Sequence, residues 1–221
     1  MSDGGNGTDG PDGSAGWPVA LRGVTESVVT TQGPNGRWNV AALGLHVGES
    51  DEGDGDPADG DGSTGHTGGV TARTYGRTRT WRNFRERGEG YVQFTRDPVD
   101  FTEAALGVRE QSDPLLASAD AWARVAVSER DATEEGGTRI VTWDVEPVES
   151  AVERETVPTT NRGFAAVIEV TVAASRLDVP AYDETELRER LAYFADVVET
   201  CGGPREHEAL ARAEELLGEE F

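Results

Sequence analysis

The sequence lacks lysine, and all 20 of its basic residues are arginine. It has one cysteine, Cys201, and three histidines, which excludes an internal disulfide and disfavours a zinc site. No apolar run approaches the roughly 18 residues that span a bilayer. Residues 1–16 also lack the charged start and apolar stretch of a signal peptide. We therefore expect a soluble, cytoplasmic protein with no membrane partner.

Acidic residues dominate the charge of the chain. There are 42 acidic residues in 221, and the formal net charge is -22. This composition resembles that of haloarchaeal proteins, in which an acidic surface keeps the fold hydrated in a salt-accumulating cytoplasm. A GC-rich genome also favours arginine over lysine, but it does not account for the excess of acid. We therefore expect a halophilic protein.

Two glycine-rich segments interrupt the foldable sequence. Residues 1–16 contain six glycines and almost no apolar side chain, which predicts a disordered tail. Residues 48–69 contain eight glycines, seven acids and no basic residue. Because this segment lies between two strand-like stretches, we predict an enlarged hairpin loop.

Strand patterns occupy most of the remaining chain. In the last of them one face is predicted to carry Ala166, Ile168, Val170 and Val172 and the other Val167, Glu169 and Thr171, which predicts a half-buried strand. The predicted strands cover residues 24–31, 37–47, 70–75, 90–95, 122–129, 138–146 and 164–174.

Helical periodicity appears between the strands and at the end of the chain. Short helices are predicted over 76–88 and 98–107, and a longer one from Asp183 to about Thr200. Pro204 then begins a final helix that reaches Leu217. These elements indicate an α+β protein with a barrel over residues 17–115, in which 48–69 is an insertion. Residues 116–221 are predicted to add strands and a C-terminal helical hairpin.

The arginine-rich segment 77–87 holds five of the 20 arginines. A helix N-terminus presents unpaired amides and partial positive charge, so arginines and hydroxyls placed there are typical of a phosphate site. The candidate phosphate contacts are Arg77, Thr78, Arg79 and Thr80. An alternative is an amphipathic helix that packs its two aromatic residues inward while its arginines pair with acids.

A basic segment with aromatic residues is also compatible with nucleic-acid binding. At molar salt the screening length is about 3 Å, so affinity from counterion release largely vanishes. We therefore disfavour nucleic acid as a partner.

Three stretches carry a resemblance to known proteins: ESVVTTQGPNGRWNVAALGLHV, YGRTRTWRNFRERGEGYVQFTRDPVDFTEAAL and NRGFAAVIEVTVAASRL. Together they resemble an archaeal family of uncharacterised proteins with the FMN-binding split-barrel fold, and the resemblance covers roughly residues 17–217. The segment TRTWRN, followed by the strand GYVQFT, is also similar to the T-x-x-N pattern of flavin reductases. The fold class implied is a split β-barrel of the FMN-binding type.

The resemblance implies a homodimer that binds FMN, a small-molecule flavin, near the subunit interface. By position, Asn39 and the small Ala41 and Ala42 would line the flavin ring. Gln93 departs from the pattern, because flavin reductases often have asparagine there. The phosphate or ribityl contacts implied are Arg77, Thr78, Arg79, Thr80 and Asn83.

These observations leave three functional hypotheses. The first is an FMN-binding protein that acts as a flavin-dependent reductase. The second is a non-catalytic binder or sensor of a flavin or another phosphorylated ligand, and the third is a nucleic-acid-binding protein. The residues do not separate the first two, because hydride transfer to a flavin needs no recognisable protein acid or base.

Overall fold

The computed structural model describes residues 16–48, 69–177 and 179–221. The predicted disordered tail, apart from Gly16, and most of the predicted acidic loop lie outside these residues. The strands are β1 (Val24–Gln32), β2 (Trp38–Val47), β3 (Val70–Tyr75), β4 (Glu89–Thr95), β5 (Arg109–Gln111), β6 (Ala119–Glu135) and β7 (Thr138–Val152). The helices are α1 (Arg79–Arg87), α2 (Pro98–Leu106), α3 (Arg162–Ala174), α4 (Glu184–Cys201) and α5 (Pro204–Leu217).

Six antiparallel strands close into a barrel in the order β1-β4-β6-β7-β3-β2, with β2 pairing back to β1. One edge of β2 pairs with β1 over its whole length, whereas the other edge is divided. Leu45–Val47 pair with β3 at one end and Trp38–Val40 pair with β5 at the other. The barrel is therefore split along β2, which confirms the predicted fold class.

Alternation along β2 separates two hydrophobic clusters. Leu43 and Leu45 face the barrel interior, where they join Val29, Val92 and the buried Trp143 in the barrel core. The intervening side chains of β2 face outward, because successive strand residues point to opposite sides. The outer cluster comprises Val28, Val40, Phe101, Ala104, Leu116 and Ala119.

Helix α1 lies across one end of the barrel. It packs against β1, β2, β3, β4 and β6. Phe84 is buried in the barrel core and meets Trp143 edge to face, with ring centroids 5.5 Å apart. Trp81 also packs against this core. The two aromatic residues of the arginine-rich segment thus cover the barrel core at this end.

The predicted strand over 164–174 is wrong, because these residues form helix α3. Asn161 caps the helix by accepting a hydrogen bond from the Gly163 amide at 2.6 Å. Its apolar residues bury a helical face against α4 and α5 instead of alternating across a sheet. The buried apolar side chains of this face are Ala166, Val167, Val170, Ala173 and Ala174.

The predicted helical hairpin is present as α4 and α5, and α3 packs against both helices. At Gly163 an added Cβ would lie 2.5 Å from the Gly202 Cα, so only glycine allows this approach of α3 to the end of α4. No helix in the described parts of the chain is long and apolar enough to cross a membrane.

The barrel does not end near residue 115, where we predicted a domain boundary. Strands β6 and β7 pair with each other and lie between β4 and β3 in the ring. They are also longer than predicted, reaching Glu135 and Val152. The division of the chain at residue 115 therefore does not coincide with an edge of the sheet.

Candidate functional site

The candidate site lies where the β1–β2 turn, β5 and the start of α1 meet. Backbone pairing brings its residues together. Thr31 of β1 pairs with Asn39 of β2, and Asn39 pairs in turn with Glu110 of β5. Helix α1 begins beside these three residues, because its second and fifth residues bond to Asn39 and Thr31.

Two buried polar contacts fix α1 on the barrel. The Asn39 amide donates to the Thr80 hydroxyl at 3.3 Å. The Asn83 amide donates to the Thr31 hydroxyl at 3.0 Å and to its carbonyl at 3.3 Å. All four side chains are buried. Because buried polar groups are costly unless paired, these contacts specify how α1 sits over the barrel.

The first turn of α1 presents hydrogen-bond donors to solvent. Thr78 caps the helix by accepting a bond from the Trp81 amide at 3.2 Å, and its own hydroxyl proton stays available. The amides of Arg79 and Thr80 precede the first intrahelical bond, which Arg82 donates to the Thr78 carbonyl. No acidic residue occupies the first turn, and Arg77, Thr78 and Arg79 are exposed.

The five arginines of the segment differ in their surroundings. Arg79 makes the segment's one ion pair within the described residues, at 3.5 Å from Glu110. Arg85 stacks on Trp81, with 5.5 Å from its guanidinium carbon to the ring centroid, and Arg87 donates to the Gly33 carbonyl at 3.1 Å. The two aromatic residues thus pack inward as the alternative hypothesis predicted, but the arginines do not generally pair with acids.

Glu110, which pairs with Arg79, also contacts Asn35 and Arg37, and none of these three was predicted as a site residue. The Glu110 carboxylate accepts a bond from the Asn35 amide at 3.0 Å and lies 3.9 Å from Arg37 Nε. Arg37 also donates to the Glu110 carbonyl at 2.8 Å. Glu110 further borders a cleft of about 300 Å³ between α2, β5 and α5. We call Asn35, Arg37, Arg79 and Glu110 the Glu110 cluster.

Two buried polar atoms at α1 have no hydrogen-bond partner in the described residues. They are the side-chain oxygen of Asn83 and the indole nitrogen of Trp81. Orphaned polar atoms are uncommon in protein interiors. The side-chain oxygen of Asn83 is therefore an unused hydrogen-bond acceptor within the predicted site.

Gln93, which stands where flavin reductases often have asparagine, makes hydrogen bonds that stabilise the fold. It is fully buried, and its amide donates to the Thr30 hydroxyl and the Pro114 carbonyl, both at 3.1 Å. Its carbonyl accepts from the Leu116 amide at 2.6 Å. These bonds tie the segment after β5 to β1 and β4.

Ala41 and Ala42 do not lie on one surface. Ala41 packs against the barrel core, whereas Ala42 packs against the outer cluster. Adjacent residues of a strand point to opposite faces, so one flat ring can contact only one of these side chains. Of the predicted site residues, the structure groups Asn39, Thr80 and Asn83 with the exposed Arg77, Thr78 and Arg79.

A barrel split along one strand, with a helix across its end, is the flavin reductase-like split-barrel fold. The chain belongs to the family described as a protein of unknown function, DUF447. Residues 25–154 match its N-terminal domain and residues 161–215 match its second part.

The chain is also similar to solved structures. An FMN-bound DUF447 protein from Methanosarcina mazei, MM1853, is 20% identical, with a TM-score of 0.71 over 89% of this chain and 96% of that one. The styrene monooxygenase flavin reductase from Pseudomonas putida S12 is 12% identical, with a TM-score of 0.37 over 59% and 79%. Component B of nitrilotriacetate monooxygenase from Mycobacterium thermoresistibile is 16% identical, with a TM-score of 0.40 over 61% and 72%.

Proposed function

We propose that this protein binds FMN, with the phosphate at the N-terminus of α1. The observation that carries the proposal is the exposed pair Arg77 and Arg79 beside free helix amides, on a helix fixed by buried polar contacts. Membership of the same family as an FMN-bound protein supports the choice of ligand. The prediction of FMN made from the sequence is thereby strengthened.

The donors at α1 fit a dianionic phosphate. Arg77 and Arg79 supply charge, the Thr78 hydroxyl supplies a proton, and the first-turn amides point along the helix axis. Arg77 has no carboxylate within 4.0 Å among the described residues, so it need not leave an ion pair to bind an anion. Asn83 can accept one hydrogen bond from a ribityl hydroxyl through its unused oxygen.

Bound flavin would supply hydride and electron chemistry, while the protein would position and shield it. We propose a flavin-dependent reductase as the activity and a non-catalytic flavin binder or sensor as the second candidate. Following the resemblance, we also propose a homodimer, which size-exclusion chromatography with light scattering at high salt would test.

The test of FMN binding is purification at high salt, followed by titration with FMN and with riboflavin, which lacks the phosphate. We expect FMN to bind and riboflavin to bind poorly. Arg79→Ala should weaken FMN binding by about 1.5 to 3 kcal/mol, the range for a charge-assisted hydrogen bond. It should leave riboflavin binding unchanged.

Arg188→Ala is the matched control. Arg188 is an exposed, ion-paired arginine like Arg79, but it contacts Glu184 and Glu219 at the C-terminal helices. This variant should retain the parent affinity for FMN. Equal losses for FMN and riboflavin in Arg79→Ala would contradict a phosphate contact, and a protein that takes up no FMN would refute the proposed function. Anaerobic bleaching of bound flavin by NADH or NADPH would favour the reductase over the passive binder.

A further inference from the structure

We propose that Asn35, Arg37 and Arg79 form an anion subsite for which the Glu110 carboxylate and the FMN phosphate compete. This inference rests on the proposed function, because it assigns a part of the same phosphate site. It adds two phosphate contacts, Asn35 and Arg37, both from the β1–β2 turn. It also makes Glu110 a residue that limits the affinity for phosphate-bearing ligands.

The geometry places three donors, two from the β1–β2 turn and one from α1, around one carboxylate. Asn35 donates at 3.0 Å, whereas the nearest nitrogens of Arg79 and Arg37 lie 3.5 and 3.9 Å away. The donors converge because β5 pairs with β2, which sets Glu110 opposite Asn39. The same convergence suits a phosphate, which offers three acceptor oxygens to donors arriving from different directions.

The two arginines hold the Glu110 carboxylate loosely. Charge-assisted bonds between nitrogen and oxygen are normally about 2.7 to 2.9 Å long, well below the 3.5 and 3.9 Å that separate Arg79 and Arg37 from this carboxylate. By contrast, Arg205 approaches Asp97 to 2.5 Å elsewhere in this protein. Both cluster arginines are about half exposed, at 53% for Arg37 and 46% for Arg79, so both guanidinium groups are accessible to a ligand, although Arg37 also donates to the Glu110 carbonyl at 2.8 Å. A dianion therefore competes effectively with this single carboxylate.

Charge at Glu110 opposes the ligand in two ways. The carboxylate already interacts with the donors that the phosphate needs, and its negative charge repels a phosphate that approaches them. Replacement by glutamine keeps the size and an acceptor oxygen but removes the negative charge. Glu110→Gln should therefore bind FMN about three- to tenfold more tightly than the parent at one fixed high salt concentration. Riboflavin affinity and the melting temperature should stay unchanged.

Glu103→Gln is the matched control. Glu103 lines the same cleft and its side chain is equally exposed, but it pairs with Arg109 and Arg212 and not with the subsite donors. It should leave FMN affinity unchanged. Arg37→Ala should weaken FMN binding several-fold without affecting riboflavin, because it removes a phosphate donor.

The outcomes separate this inference from the proposed function. Tighter FMN binding by Glu110→Gln alone would support competition. Unchanged or weaker FMN binding by Glu110→Gln, in a parent protein that binds FMN, would overturn the inference and leave the proposed function intact. Equal gains for FMN and riboflavin would also overturn it, because the effect would not depend on the phosphate. Failure of the parent and every variant to bind FMN would overturn both.

Discussion

Replacing Gln93 by leucine should destabilise the fold without removing a ligand contact. Leucine has a similar size but no polar atoms, so the variant loses the bonds to Thr30, Pro114 and Leu116. The Thr30 hydroxyl and the Pro114 carbonyl remain hydrogen-bonded to each other in the variant, because Thr30 donates to that carbonyl at 2.5 Å. Only the backbone amide of the buried Leu116 loses its hydrogen-bond acceptor altogether.

The expected loss follows from these contacts. An unpaired buried amide costs about 1 to 3 kcal/mol, and each hydrogen bond lost with a surviving partner costs about 1 kcal/mol. Burial of the leucine methyl groups offsets part of this loss. We expect a net destabilisation of roughly 2 to 4 kcal/mol, which corresponds to roughly 4 to 16 °C in melting temperature for a chain of this size.

Thermal or urea unfolding at fixed salt measures this effect, and Gln32→Leu is the control. Gln32 is the last residue of β1 and is only half-buried. Its side-chain amide donates one long bond of 3.4 Å to the Gly36 carbonyl. Its replacement should cost well under 1 kcal/mol, in the range of surface substitutions. A Gln93→Leu protein with parent stability but lost FMN affinity would refute the structural role of Gln93.

Two further predictions concern the acidic loop and the α2–α5 contact. Deleting residues 50–68 and rejoining the chain by a short turn should leave stability and FMN affinity nearly unchanged, because Val47 and Val70 are paired neighbours; aggregation on gel filtration would contradict this. Burial raises the pKa of Asp97, but hydrogen bonds from Arg205 and from backbone amides outweigh it and hold the pKa below its ordinary value. Asp97 therefore stabilises the fold above about pH 4, and this contribution is lost as the pH falls through its lowered pKa. Arg205→Ala should shift acid unfolding, followed by circular dichroism, to higher pH; an unchanged midpoint would refute this.

Local patterns in the sequence were sufficient to predict most elements. The alternation over β2 corresponds to a strand, and the three-residue spacing of Trp81 and Phe84 corresponds to helix α1. Each pattern is informative because it reflects which side of the element is buried. The short strand β5 was missed. Its three residues form a strand only because they pair with the free edge of β2.

Helix α3 shows where local patterns mislead. Its β-branched residues favour a strand and alternate over a short window, but the buried set includes the neighbours Ala166 and Val167. Adjacent buried residues fit one face of a helix and not one face of a strand. Packing against α4 and α5 decides the outcome, and no local propensity reveals that surface.

The candidate site was predictable only in part. A cluster of arginines at a helix start is visible in the sequence, and the structure places Arg77, Thr78 and Arg79 there on the surface. Their contact with FMN stays a prediction. Glu110 and Arg37 could not be assigned from the sequence, because 73 positions separate them and β2–β5 pairing alone brings them together.

The outer cluster has a consequence for how the protein unfolds. Residues 155–160, between the two family segments, are all exposed and could pass for a linker between independent domains. Yet Phe164 of α3 packs against Phe101 of α2, and Val28 and Val40 of the barrel share that same cluster. Each segment therefore covers apolar surface of the other that would otherwise be exposed to water. Burial of such surface stabilises the fold by about 25 cal/mol for each Å². Barrel and helices should melt in a single cooperative transition, and the C-terminal helices expressed alone should not form a stable fold.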